Sequence, residues 1–197
     1  MTPRVNSYDT IVDAAEAVVI EDGASHMTLD AVAAKAGVSK GGLLYHFPTK
    51  MALLEAMISR RIKNREESRK RICGELPDGP TREVKGYVLS VLFRDQNADR
   101  IGAPILAALA HDPRLVEPIR EAIRKLYAGF ISSGAKFEQA AIIALAADGL
   151  WLQEILSISP FSKEQRNNVI KELMRLADEE VNHPAERGRG TKGKTRI

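Results

Sequence analysis

The period of its apolar residues is the feature that most limits what this chain can fold into. Tyr8, Ile11, Val12, Ala15, Val18 and Val19 recur every three or four positions, the spacing that lines up side chains on one helical face. The same spacing returns in Met51, Leu54, Met57, Ile58 and Ile62, in Val84, Tyr87, Val88, Val91 and Leu92, and in Val169, Leu173, Leu176 and Ala177. No segment alternates convincingly at the period of two that a half-buried strand requires. The expectation is an all-α protein of about nine helices.

Punctuation between these stripes sharpens the boundaries. Gly23 stops the first helix, and Thr28 caps a short second one, Leu29 to Ala36, with Asp30 in its first turn where the helix dipole favours an anion. Gly37 ends it, Ser39 caps a third helix that runs to His46 or Phe47, and Pro48-Thr49 separates this from a fourth. The stretch 74–80, GELPDGP, reads as a linker. Ile101 to Ala110 is a short apolar segment interrupted by Pro104, and Pro113 and Pro118 leave the start of the next helix open. Residues 138–158 form a long helix that is apolar on nearly every side between Ala140 and Leu152, apart from Asp148, and so must be buried on several faces. Ser162 with Gln165 makes a capping box for the last helix, at 163–181. Residues 184–197 are rich in Gly, Lys and Arg and read as a disordered basic tail.

Two short helices joined at Gly37 have helix-turn-helix spacing. Ala33 is small enough for a close crossing, Gly37 can take the positive φ of the turn, and Val32, Val38 and Leu43 lock the pair together. Ser39, Lys40, Gly41, Gly42, Leu44 and Tyr45 then line an outer face able to enter a DNA groove. The two adjacent glycines weaken the first turn of the third helix. Their use would be close approach, since a Cβ there holds the backbone away from the duplex. Short capped helices with a glycine turn also occur in other all-α domains, so the spacing alone does not establish DNA binding.

The residues themselves are more specific. The stretch MTLDAVAAKAGVSKGGLLYHFPTKMALLEAMI, Met27 to Ile58, closely resembles the N-terminal DNA-binding domain of TetR-family transcriptional regulators. Thr28, the Ala36-Gly37-Val38-Ser39 turn, Leu43, Tyr45, His46, Phe47 and Lys50 fall at that family's signature positions, and Tyr8 to Glu21 fits its first helix. The resemblance implies that Thr28 and Ser39 bind phosphates and that Lys40 reaches a guanine edge or a phosphate. Tyr45, His46 and Lys50 would contact the backbone, Tyr45 also a thymine methyl. The local alternatives are that Ser39 only caps its helix, that His46 is a packed histidine and that Phe47 belongs to the core. Leu44 departs from the family, many of whose members carry a second aromatic there, and offers apolar contact only.

The same resemblance implies an organisation: residues 1–50 as the DNA-binding domain, 51–183 as a ligand-binding and dimerisation domain, and 184–197 as the tail. The helices at 138–158 and 163–181 would pair with their copies as a four-helix bundle, placing two reading heads on a palindromic operator. An effector would lie inside the bundle, with Met57, Tyr87, Leu89, Phe93, Leu109, Tyr127, Phe130 and Trp151 as candidate contacts. Asp148 would attract a cationic ligand or bond within the interface. The run Arg60 to Lys70 reads as the solvated end of the fourth helix, the element that would couple ligand to DNA.

Charge and composition fit this reading. Residues 1–72 carry 11 Lys/Arg against 9 Asp/Glu, residues 73–183 carry 13 against 16, and residues 184–197 carry 5 against 1, giving +2, −3 and +4, which sum to the net +3. Basic ends and an acidic middle suit a chain that meets nucleic acid at an end. The single Cys73 excludes an internal disulfide and suits a reducing cytoplasm, as a bystander or a redox-sensitive thiol. No apolar run is long enough to span a bilayer. An enzyme is disfavoured: His26, His46, His111 and His183 lack metal-ligand spacing, GVSKGG lacks the order of a phosphate loop, and no nucleophile motif is present, so no metal or cofactor is expected. The alternative of a non-specific, nucleoid-type DNA binder rests on the tail alone.

Overall fold

The computed structural model describes residues 7–24, 26–93 and 101–179, so the tail at 184–197, with the end of the last expected helix, lies outside the described residues. Among the described residues there are nine α-helices and no strand. They are α1 (Ser7–Asp22), α2 (Leu29–Ala36), α3 (Lys40–His46), α4 (Lys50–Glu75), α5 (Arg82–Leu92), α6 (Gly102–His111), α7 (Glu117–Ser132), α8 (Phe137–Ile155) and α9 (Lys163–Glu179), with a 3₁₀ turn at Pro113–Val116.

Local chemistry sets most of these limits. The hydroxyls of Thr28, Ser39 and Thr49 accept the backbone N–H groups of Ala31, Gly42 and Ala52, each at 3.1 Å, and so cap α2, α3 and α4. Gly37 adopts φ 67° and its N–H closes onto the carbonyls at the end of α2, a left-handed conformation that costs other residues about 1–2 kcal/mol. Ser162 and Gln165 form the reciprocal capping box, with bonds of 2.9 and 3.1 Å.

The prolines fall where a missing N–H is harmless. Pro104 lies in the first turn of α6, and Pro113 opens the 3₁₀ turn that Asp112 caps. Pro118 lies in the first turn of α7, so the break between the two prolines resolves into two elements. α8 ends at Ile155, three residues before the expected 158, because Ser157 turns left-handed with φ 55° and Ile158 N–H returns to Gln153 O at 2.9 Å.

The helices pack around two apolar cores. The first takes Ile11, Val12, Ala15, Val18 and Val19 of α1, Val32 and Ala33 of α2, Leu43 of α3, Phe47, and Leu53, Leu54, Met57 and Ile58 of α4, closed by Ile101, Ile105 and Leu115. The second takes Val84, Tyr87, Val88, Val91 and Leu92 of α5, Phe130 of α7, Ala140, Ile143, Ala144, Ala147 and Leu150 of α8, and Ile170, Leu173 and Ala177 of α9. α4 serves both regions: its far end buries Cys73 against α5, where Gly86 leaves room for the sulfur. Arg60 of α4 forks onto α1, 2.6 Å from Asp13 and 2.9 Å from Glu16, and Arg69 pairs with Glu83 of α5.

α8 is not buried on all sides within one chain. Ile142 and Leu145 are each 65 % exposed, and Leu152 and Leu156 lie on the same exposed face. Gly149 sits in the middle of that stripe, with open space beside it. The spacing 142, 145, 149, 152, 156 is a single helical face.

Candidate nucleic-acid interface and interior aromatic cluster

α3 is pinned to the first core by one buried residue, Leu43, flanked by the half-buried Val38 and the buried Phe47. With that residue turned inward, Ser39, Lys40, Gly41, Gly42, Leu44 and Tyr45 are all exposed on the outer surface. Tyr45 is 85 % exposed, an aromatic ring held in water at the end of the helix. Thr28 stands exposed at the start of α2. The residues named from the sequence for the groove-facing surface are thus exposed, apart from the half-buried His46 and Lys50.

Three side chains carry detail that spacing does not reveal. Lys40 Nζ lies 2.9 Å from Asp30 Oδ1, an ion pair between the starts of α3 and α2. His46 is half-buried, with its ring centroid 6.3 Å from Tyr8 and 5.2 Å from Tyr45 in edge-to-face contacts, so it braces Tyr45 against α1. Lys50, at the start of α4, is also half-buried, and desolvation lowers the pKa of its ammonium. The two glycines differ. A Cβ on Gly41 would meet nothing within 4 Å, whereas one on Gly42 would lie 3.2 Å from Ser39 Oγ, the capping oxygen.

The eight residues named for an effector do not form one group. Met57 is fully buried in the first core, and Leu109 packs against it. Tyr87 and Phe130 are buried in the second core, with Tyr127 and Trp151 packed around them. Leu89 and Phe93 lie instead on a shallow groove of about 490 Å³ shared with Ser68, Arg71, Ile72 and Glu75, and Phe93 is 61 % exposed.

The second-core group has defined polar chemistry. Tyr87 donates its hydroxyl to Asp148 Oδ1 at 2.6 Å, and its ring is 5.8 Å from Phe130, itself 5.6 Å from Tyr127. Burial first, then Asp148, pushes the Tyr87 hydroxyl pKa well above the ordinary range, and Tyr127 shifts the same way. Tyr87 thus stays a neutral donor to Asp148. The Arg65 guanidinium stands 5.1 Å from the centre of the Trp151 ring. Two of these partners lie far apart in sequence: Asp148 is bonded to Tyr87 of α5 within the chain, and Arg65, in a run whose Lys63, Asn64, Glu66, Glu67 and Lys70 are exposed, reaches Trp151 of α8. A neighbouring recess lined by Val84, Ala140, Ile143 and Ala177 holds about 10 Å³, room for roughly one water.

Cys73 is buried, and desolvation raises its thiol pKa. A protonated, enclosed thiol is a poor nucleophile, which favours the bystander reading of this residue. Among the described residues, no helix is long and apolar enough to cross a membrane.

Comparison with known proteins agrees with the geometry at both ends of the chain. Residues 11–57 match the family model described as bacterial regulatory proteins, tetR family, and residues 81–178 match the tetracyclin repressor-like C-terminal domain. The HTH-type transcriptional regulator BetI of Burkholderia thailandensis is 28% identical over 165 residues, 77% of this chain and 83% of that protein. A transcriptional regulator of Rhodococcus sp. Rha1 superposes with a TM-score of 0.71 at 22% identity, over 87% of this chain and 96% of that one. The multidrug binding protein EbrR complexed with ethidium gives a TM-score of 0.64 at 23% identity, over 87% and 98%. With its helix-turn-helix face, its separate helical core and both family models matched in order, the chain belongs to the TetR family of transcriptional regulators.

Proposed function

We propose that this regulator is a homodimeric repressor that reads a palindromic operator through α3 and leaves it when a small aromatic effector enters the second core. The observation that carries the DNA half is the exposed surface of α3. It presents one hydroxyl cap, Ser39, with an ammonium, two glycines and an exposed tyrosine ring on a helix fixed by Leu43. In this reading Thr28 and Ser39 meet phosphates, Lys40 reaches a base edge or a phosphate, and Gly41 with Gly42 brings the backbone close. Leu44 makes an apolar contact, while Tyr45 and Lys50 hold the flanking backbone. His46 acts by bracing Tyr45. Residues 1–50 are the reading head and 51–183 the ligand and dimer domain, working in the cytoplasm where the DNA is.

The exposed stripe on α8 supports the dimer. Ile142, Leu145, Leu152 and Leu156 around Gly149 form an apolar surface that a monomer would leave in water. A second copy of α8, packed beside α9, would cover it. For the effector, the Tyr87–Asp148 pair with Tyr127, Phe130 and Trp151 supplies aromatic faces and one carboxylate, the chemistry that suits a flat organic cation. The fold neighbour that holds ethidium supports the same class. The small recess beside this group means that side chains must part to admit a ligand. α4 reaches from this group to the reading head and would carry the change.

The test is a mobility-shift titration with duplexes selected from a random pool. Lys40→Ala and Tyr45→Ala should each weaken binding about tenfold, a loss of roughly 1.4 kcal/mol, while leaving helicity and dimerisation unchanged. Wild-type affinity in both variants would refute the assigned face. Binding that shows only a salt slope and no sequence preference would favour the non-specific alternative.

A further inference from the structure

Lys40 occupies an electrostatically awkward position. It is the first residue of α3, where the positive end of the helix dipole disfavours an ammonium. Asp30 lies in the first turn of α2, where the same effect favours its carboxylate. The two meet: Lys40 Nζ is 2.9 Å from Oδ1 and 3.1 Å from Oδ2 of Asp30, and their side chains are 61% and 68% exposed. On a surface that must approach a polyanion, the ammonium is neutralised by the protein's own acid.

The consequence depends on what DNA offers in exchange. A phosphate replaces one anion by another, so the gain is small, while any contact that draws Lys40 away leaves Asp30 uncompensated beside the duplex. A purine edge in the right register offers neutral acceptors such as guanine O6 and N7, together with every other contact that the registered complex makes. Loosely bound, unregistered DNA therefore finds Lys40 occupied, while registered DNA can extract it.

We propose that Asp30 is a specificity-determining residue, which withholds Lys40 from sequence-independent phosphate contacts and yields it to base edges of the operator. The proposal rests on the reading of Lys40 as a DNA contact. It differs from a helix-stabilising role for Asp30 because it predicts a change in ion release that requires Lys40.

The experiment measures fluorescence anisotropy for wild type, Asp30→Asn, Lys40→Ala, the double variant and Asp30→Glu. Each is titrated across a salt series with a duplex selected by the wild type and with a scrambled duplex of equal length. Asp30→Asn should tighten binding to the scrambled duplex about threefold, the scale of one exposed ion pair. It should also steepen that duplex's salt dependence by about 0.9 for each Lys40 engaged. Affinity for the selected duplex should change less than twofold, so discrimination falls. In the Lys40→Ala background the steepening should vanish, and Asp30→Glu, which keeps the charge, should keep the discrimination. Equal tightening on both duplexes, an unchanged salt slope, or the same steepening without Lys40 would overturn the proposal. A wild type that prefers neither duplex would overturn the functional reading instead.

Discussion

Replacing Gly41 by alanine separates the stability of α3 from its use. In the free protein a Cβ at this position meets nothing within 4 Å, and the residue lies in the first turn of the helix. Alanine would restrict the unfolded chain and leave the folded one unstrained, stabilising it by roughly 0.5 kcal/mol, the lower end of the range because the site is terminal. For a chain of this size that raises the midpoint of thermal unfolding by about 1–2 °C. In the proposed mode of binding, the same methyl stands on the surface that meets DNA. Holding α3 away by its width would forfeit at least one base-edge contact, worth about 1–3 kcal/mol, or about 5- to 150-fold in affinity. Gly42→Ala is the internal control. Its Cβ presses on Ser39 Oγ at 3.2 Å, so the gain in helix propensity is offset by strain on a cap worth about 1 kcal/mol, and its melting point should barely move. Circular dichroism melts and anisotropy on a selected duplex read both quantities. A Gly41→Ala protein that binds within twofold of wild type would refute the close-approach argument, as would one that melts earlier.

Three other outcomes follow from the packing and the charges. Gly86→Ala should destabilise the protein by about 2 kcal/mol, because the new methyl overlaps the Cys73 sulfur buried between α4 and α5. Adding Cys73→Ala, which leaves the Cys73 Cβ at an ordinary 3.6 Å, should recover much of the loss; additive melting shifts would show that the clash lies elsewhere. Leu145→Glu should place a charge on the exposed α8 stripe and yield monomers by light scattering, whereas an unchanged mass would move the dimer interface off this face. Asp112 is held at a pKa of about 2, below its ordinary 3.8, by the side chain and backbone of Arg114. Its contribution is therefore complete above pH 3.8 and lost as pH falls through about 2, so Asp112→Asn should flatten the acid limb of stability between those values. An identical acid titration in the variant would contradict that assignment.

The parts of this structure that were legible in the sequence are those written in local chemistry. Thr28, Ser39, Thr49 and the Ser162/Gln165 box announce helix starts because a capping hydroxyl reaches only two or three residues along the chain. Gly37 marks the turn because few other residues tolerate its φ. The end of α8 was less legible: a serine took the left-handed position where a glycine would have signalled it. What stayed hidden depends on distant partners. Lys40 with Asp30, Arg60 with Asp13 and Glu16, and Tyr87 with Asp148 join residues that no periodicity links. The candidate effector residues illustrate the same limit, since apolar spacing shows which side chains turn inward but not that Met57 and Tyr87 enter different cores.

The buried residues of α4 gather at its two ends, Leu53, Leu54, Met57 and Ile58 in the first core and Cys73 against α5. Between them the helix is braced by ion pairs from Arg60 and Arg69. At 26 residues it is a rod about 39 Å long, so a tilt of about 5° around the Cys73 end carries the Lys50 end through roughly 3.4 Å. That travel is about one base-pair step, and in a symmetric pair the two rods swing in opposite senses. A rearrangement of a few degrees around Tyr87 and Trp151 would thus change the gap between reading heads by up to about two steps, so that when one head sits in its groove the other is out of phase with the next turn.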